Sequence, residues 1–211
     1  MTTTASTPSP VRSSRCCRAT LAVVAYLAEV RPLIPPEHQA AFWVTVSEAD
    51  ALVQSGDLAA ANSLLISAHE HAKTRAAADP ANTGWQRDLS VSHNRLGDVA
   101  VEAGDLAAAT AAYQAALDIA ARLAAADPAN TEWQRDLAVS HSKIGDVAVA
   151  AGDLAAAANT YQVGLDIAAR IAKEHPDNPE LASIANYLRQ RIEEVTKPAG
   201  QRQARRRRGK S

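Results

Sequence analysis

Aromatic side chains are scarce in this chain: 4% of 211 residues, with a single Phe and three Trp. A β-sandwich core built on large rings is thereby disfavoured, and the apolar 47% has to pack through Ala, Leu, Ile and Val. Ala is the strongest helix former and packs poorly on a pleated sheet, so the composition points to helices that approach one another closely. Cysteine is nearly absent as well. Cys16 and Cys17 are adjacent, a spacing that suits neither a disulfide framework nor a zinc site, and nothing requires an oxidising compartment. No apolar run is long enough to span a bilayer; the stretch from Ala19 to Ala28 is only ten residues. Acidic residues are missing from positions 1–28, which carry Arg12, Arg15 and Arg18. This beginning reads as an irregular Ser/Thr/Pro-rich leader over 1–18, or alternatively as a targeting segment; the bulky Tyr26 at the place of a small cleavage-site residue favours the leader and a cytoplasmic protein.

Acid is also missing from the other end. Arg202, Arg205, Arg206, Arg207, Arg208 and Lys210 stand among the last ten residues, and without those six charges the net −1 of the chain becomes −7 for the remainder. An acidic body with a basic tail suggests an anion contact, such as nucleic acid or an anionic membrane surface, held by counterion release. No aromatic residue interleaves with these arginines to stack on bases. The tail over 198–211 is therefore either such a contact, a disordered solubilising end, or a strand of positive charge that folds onto an acidic groove.

What the sequence has in abundance is repetition. Residues 79–126 and 127–174 align without a gap over 48 residues and are identical at thirty-four positions. Trp85 falls on Trp133, Gly97 on Gly145, Gly104 on Gly152 and Tyr113 on Tyr161. A diverged copy occupies 36–78, where Asp50, Gly56, Asp57 and Ala61 keep the register; a half copy follows over 175–197, with Pro176, Asn178, Ile192 and Val195 in place. Residues 19–35 remain as an N-terminal helix and linker. Self-similarity at such a period marks a stacked array, in which each unit buries its apolar face only against its neighbours.

Each block reads as two helices. Thr131 and Gln134, like Thr83 and Gln86, have capping-box spacing. The first helix carries a stripe of Trp133, Leu137, Ile144, Ala148 and Ala151 and stops at Gly152, which suits a left-handed terminus. Asp153 can cap the second helix, with its stripe of Leu154, Ala157, Tyr161, Leu165, Ala168 and Ala172, before Pro176 breaks the chain. The expectation is an all-α fold of about eight helices, over 19–30, 36–54, 58–77, 84–103, 106–126, 132–151, 154–174 and 179–196, the last a solvating cap.

The recurring Leu96-Gly97, Gly104-Asp105-Leu106, Ala109, Tyr113, Ala116 and Leu117, with Ile144-Gly145, Gly152-Asp153-Leu154, Ala157, Tyr161, Gly164 and Leu165, resemble the tetratricopeptide repeat family, in a long 48-residue form common in bacterial signalling proteins. The resemblance covers about residues 36–196. It departs from the usual 34-residue period, with Pro128 and Pro176 placed late and His93 and His141 standing where large apolar residues are common. It implies a right-handed α-solenoid of antiparallel hairpins that acts as a protein-protein interaction scaffold, binding a peptide or helix in a concave groove lined by first helices. With the Trp133 stripe as core, the opposite face becomes that groove: Arg87, Val91, Asn94, Asp98 and Val101, repeated as Arg135, Val139, Ser142, Asp146 and Val149, with Arg95, Glu102 and Lys143 at its edges. The valines would give apolar contact, Asn94 and Ser142 hydrogen bonds, and Asp98 and Asp146 a preference for neutral or basic ligands. A clamp for a C-terminal carboxylate of the family's known kind is disfavoured, because Val91, Val139, Asp98 and Asp146 occupy the places of its cationic and amide residues.

Catalytic readings find little. His69 and His71 point to different sides of a helix, His93 and His141 recur as half-buried neighbours, and no phosphate loop or nucleophile-base motif stands in context. Neither metal nor cofactor is expected. The alternative to a binding scaffold is a nucleic-acid-associated regulator acting through the tail; the apolar N-terminal helix either covers the first hairpin or joins two copies.

Overall fold

A computed structural model describes residues 14–35 and 38–197. Among these the fold is all-α with no strand: α1 (Ser14–Val30), α2 (Gln39–Ser55), α3 (Leu58–Ala78), α4 (Thr83–Glu102), α5 (Leu106–Ala126), α6 (Thr131–Ala150), α7 (Leu154–Glu174) and α8 (Pro179–Thr196). A 3-10 turn, Arg31–Leu33, follows α1. The helix begins within the stretch expected to be an irregular leader: positions 14–18 are helical, since no proline follows Pro10 until Pro32 and alternating small and basic residues tolerate the helix. No described helix is long and apolar enough to cross a membrane.

The hairpin turns carry the clearest link from sequence to geometry. Gly56, Gly104 and Gly152 take φ of +92°, +81° and +84°, a region that L side chains rarely adopt. At Gly152 the amide donates to Val149 O at 3.0 Å and the next amide, of Asp153, donates to Ala148 O at 2.9 Å, which satisfies the last carbonyls of α6. Asp153 then turns its carboxylate to the other helix, accepting from Ala156 N at 2.9 Å. Asp105 does the same for α5 and Asp57 for α3. One dipeptide thus ends a helix and starts the next.

The starts of the first helices differ from the expected capping box. Asn82 and Asn130, one residue earlier, accept from Trp85 N and Trp133 N at 3.2 Å each. Gln86 and Gln134 do not reach back to the cap; each donates from Nε2 to a carbonyl of the preceding helix, Ala76 O and Ala124 O. Asn, among the best N-cap residues, takes the cap in place of Thr, and the glutamine is released to tie one hairpin to the next.

The chain divides into two compact units, 1–68 and 69–211. In the first, α1 packs on α2, Phe42 and Val46 are buried, and Arg31 Nε holds the buried Glu48 at 2.9 Å. In the second, α4, α5, α6, α7 and α8 pack consecutively, each against the next. Its core includes Ala138, Ala157, Tyr161, Ala168, Ala185 and Leu188, with a second cluster around Ala109, Tyr113 and Val147. Burying a ring the size of Tyr161 completely contributes about 1.5–3 kcal/mol, so two such rings matter in a chain this poor in aromatics.

The first helices do not bury the single stripe the sequence suggested. Trp133, Leu137, Ile144 and Ala148 are half-buried and Ala151 is exposed, while Gln134, Ala138, Ser140, Ser142, Gly145 and Val147 are buried. A helix packed between others on several sides has no single dry face, and small or polar residues sit at its closest approaches.

Candidate functional site

Along the second unit, the first helices α4 and α6 touch, as do α6 and α8. Their shared face is organised by tyrosine on glycine. A Cβ at Gly97 would fall inside van der Waals distance of the Tyr113 ring, and one at Gly145 inside that of Tyr161. The rings lie against bare backbone, and their hydroxyls reach the residue after each glycine: Tyr113 Oη donates to Asp98 Oδ1 and Tyr161 Oη to Asp146 Oδ1, both at 2.6 Å. Burial first, and then the neighbouring carboxylate, push both phenols above their ordinary pKa, so each remains a donor.

The same carboxylates receive a cation from the next first helix. Lys143 Nζ lies 2.6 Å from Asp98 Oδ1, and Arg191 Nη2, forty-eight residues on, lies 2.8 Å from Asp146 Oδ1. Arg95 adds a 3.5 Å contact to Asp98, and Tyr187 Oη donates to Asp146 at 3.1 Å. A second ladder runs closer to the helix starts. Arg87 pairs with Asp136 at 2.6 Å and Glu132 at 3.3 Å; Arg135 pairs with Glu180 at 2.7 Å and Asp136 at 3.0 Å. Exposed ion pairs are worth little, but Asp98, Asp136 and Asp146, 18–35% exposed and each sharing several donors, gain more from fixed geometry.

These contacts change the roles expected of the face. Asp98 and Asp146 already hold cations and tyrosine hydroxyls within the protein, so the preference for a basic ligand expected of them has no spare charge behind it. Ser142 is buried and its Oγ donates to Val139 O, one turn back in its own helix, which removes it as a ligand contact. Arg87, Arg95, Arg135 and Lys143 are tied into the ladders. What the face leaves partly open is apolar: Val91, Val139 and Val149 are half-buried, Val149 against the core cluster, Val101 is 37% exposed, and Glu102 is exposed at the edge. Asn94 Oδ1 is buried with no hydrogen-bond partner.

Several structural residues escaped the sequence reading. Asp88 and Asp136, to which the sequence pattern assigns no role, are respectively 1% exposed and doubly ion-paired. The tyrosine-aspartate bonds were also missed, although the constant fifteen-residue spacing of Asp98–Tyr113 and Asp146–Tyr161 carried the signal. His93 and His141 are half-buried as expected; His93 stacks edge-on against His69, their ring centroids 4.5 Å apart, and His69 Nδ1 lies 3.0 Å from Ser92 Oγ. Among the described residues no cluster of three or more His, Cys, Asp or Glu could hold a metal. Arg202, Arg205 to Arg208 and Lys210 lie outside the described residues.

Fold and face define an all-α protein whose helices repeat in sequence and geometry. No family model matches the chain, and no curated protein matches it.

Proposed function

We propose that the protein is a non-catalytic interaction module of the tetratricopeptide kind, acting as a cytoplasmic scaffold that holds a short peptide or single helix across α4 and α6. The observation that carries this reading is the repeated, partly exposed row of Val91, Val101, Val139 and Val149 on two touching helices. Apolar contact supplies the affinity. Neutralised carboxylates make the ligand neutral and apolar rather than basic, which sharpens the sequence expectation.

The test is binding of peptides selected by panning a displayed library on the full chain. Val91→Glu with Val139→Glu should weaken them by at least about tenfold, or about 1.4 kcal/mol. Unchanged affinity would remove the face from consideration. The alternative, a nucleic-acid-associated regulator, draws on the basic tail. If partners are lost on nuclease treatment or on deleting 199–211, and survive the valine changes, that alternative replaces the scaffold.

A further inference from the structure

The repeat register extends further back than the first hairpin. Helix α1 (14–30) falls, ninety-six residues earlier, on the second helix α5 (106–126), with the same last residue; Pro32 falls on Pro80 and Pro128. In sequence position, α1 is a second helix. A second helix in this array packs on two first helices, its own and the following one, as α5 does on α4 and α6. For α1 the following one is α2; the place of its own first helix holds no described residue.

That place is visible as a cleft of about 350 Å3 lined by Thr20, Val23 and Leu27 of α1 and Ser47, Asp50, Ala51 and Gln54 of α2. The equivalents of two of these residues grip a first helix in the second unit. Ala116, at the position of Thr20, accepts Ser90 Oγ of α4 at 3.0 Å, and Lys143, at the position of Ser47, reaches Asp98 of α4. One repeat later, Gly164 meets α6 at Ala138 O and Arg191 reaches Asp146 of α6. The difference in burial is large. Val23 is 48% exposed, whereas Ile119 at its position in α5 is 6% exposed. Leu21 and Tyr26 are also more than half exposed, and Glu29 is the only charged residue from 19 to 30.

The other end of the chain is different. On α8 the exposed residues at the register positions that a following second helix would cover are Asn186, Arg189, Gln190, Glu193 and Thr196, while Tyr187, 43% exposed, turns its hydroxyl to Asp146 of α6. Glu193 stands at the register position of Gly145, where a following second helix would seat its ring. A polar end refuses further stacking, which rules out α8 of one copy completing α1 of the next and with it an open head-to-tail chain.

We infer that the seat is filled by α1 of a second copy, packed about a twofold axis to close a symmetric dimer. A twofold across the helix runs the two α1 helices antiparallel, the relation that first and second helices have within a hairpin. With the axis level with Val23 and Val24, position 18 of one copy, an arginine, comes level with Glu29 of the other. The contact extends an interface type that the array already uses.

Sedimentation velocity on the full chain from low-micromolar to hundred-micromolar concentration tests this. A dimer is expected; Val23→Glu, at an exposed site, should return the monomer with unchanged helicity by circular dichroism, and Gln190→Lys on α8 should leave the dimer intact. With Cys16 and Cys17 changed to Ser, Val23→Cys should crosslink two copies on mild oxidation. A monomer at every concentration, a dimer that survives Val23→Glu without that crosslink, or assembly lost on Gln190→Lys would each overturn the inference.

Discussion

The second and third repeats lay a tyrosine ring on a glycine, whereas the first repeat has Leu65 and Ala49 at those two positions, both buried. Each pair conserves volume in its own way: the larger ring needs bare backbone, and the branched leucine leaves room for a methyl. The chemistry is not conserved. Tyr113 and Tyr161 bring a hydroxyl to the following aspartate, and the cation of the next first helix joins it. Leu65 has no hydroxyl to bring to Asp50. A half-buried polar ladder is thus a property of the copied pair, grafted onto a packing that works without it.

The strongest way to break this comparison is to give one copied repeat half of the first repeat's solution. Gly145→Ala gains up to about 1 kcal/mol of helix propensity but drives a methyl deep into the Tyr161 ring, the severe end of an overpacking cost of about 1–3 kcal/mol, so a net loss of about 2 kcal/mol is expected in denaturant unfolding. Adding Tyr161→Leu should relieve the clash, with a coupling of at least about 1 kcal/mol between the two changes. Additive losses would mean that the ring does not need the glycine.

Removing the hydroxyl alone is gentler. Tyr161→Phe keeps the packing and strips one donor from Asp146, which retains Arg191 and Tyr187; a loss of about 1–2 kcal/mol follows, whereas Leu65→Phe in the first repeat has no such bond to lose. The cap shift gives a third measurement. Asn130→Ala should cost about 1 kcal/mol in thermal unfolding and Thr131→Ala less than about 0.5 kcal/mol; the reverse order would restore the capping box.

These cases also show how much was legible. Helices over 106–126, 154–174 and 179–196 coincide with their expected bounds, because Gly-Asp pairs and the prolines at 128, 176 and 179 force the chain to stop and restart there. The buried face was not legible. Periodicity finds one apolar stripe, but α6 is enclosed from several sides, so Ser140 and Gln134 are buried while Trp133 is only half-buried. The groove roles of Asp98 and Asp146 failed for a related reason: charge on a helix face says nothing of the cation that the next helix brings, and that partner lies 45 residues away in sequence.

A smaller effect is expected of acid, and it separates the α3–α4 contact of the second unit from the ladders. Burial, and then the neighbouring His69 and Lys73, pull the His93 pKa down to about 4. His69 is lowered too, by burial first, with Glu70 opposing and Lys73 assisting. The unfolded chain binds the His93 proton near pH 6.5 and the folded chain only near 4, so stability present above 6.5 declines as pH falls between those values. The effect is modest because His93 is half-exposed and water shares the cost of charging it. His93→Phe should flatten the thermal midpoint against pH over that window; an unchanged slope would place the acid sensitivity elsewhere.

Most directly, the binding face can be mapped. Amide chemical-shift changes on titrating a selected peptide into the full chain should concentrate at Val91, Asn94, Val101, Val139 and Val149, and leave the outer residues of α5 and α7, such as Gln114 and Gln162, unmoved. Shifts centred on those outer helices, with the valine rows silent, would contradict the account.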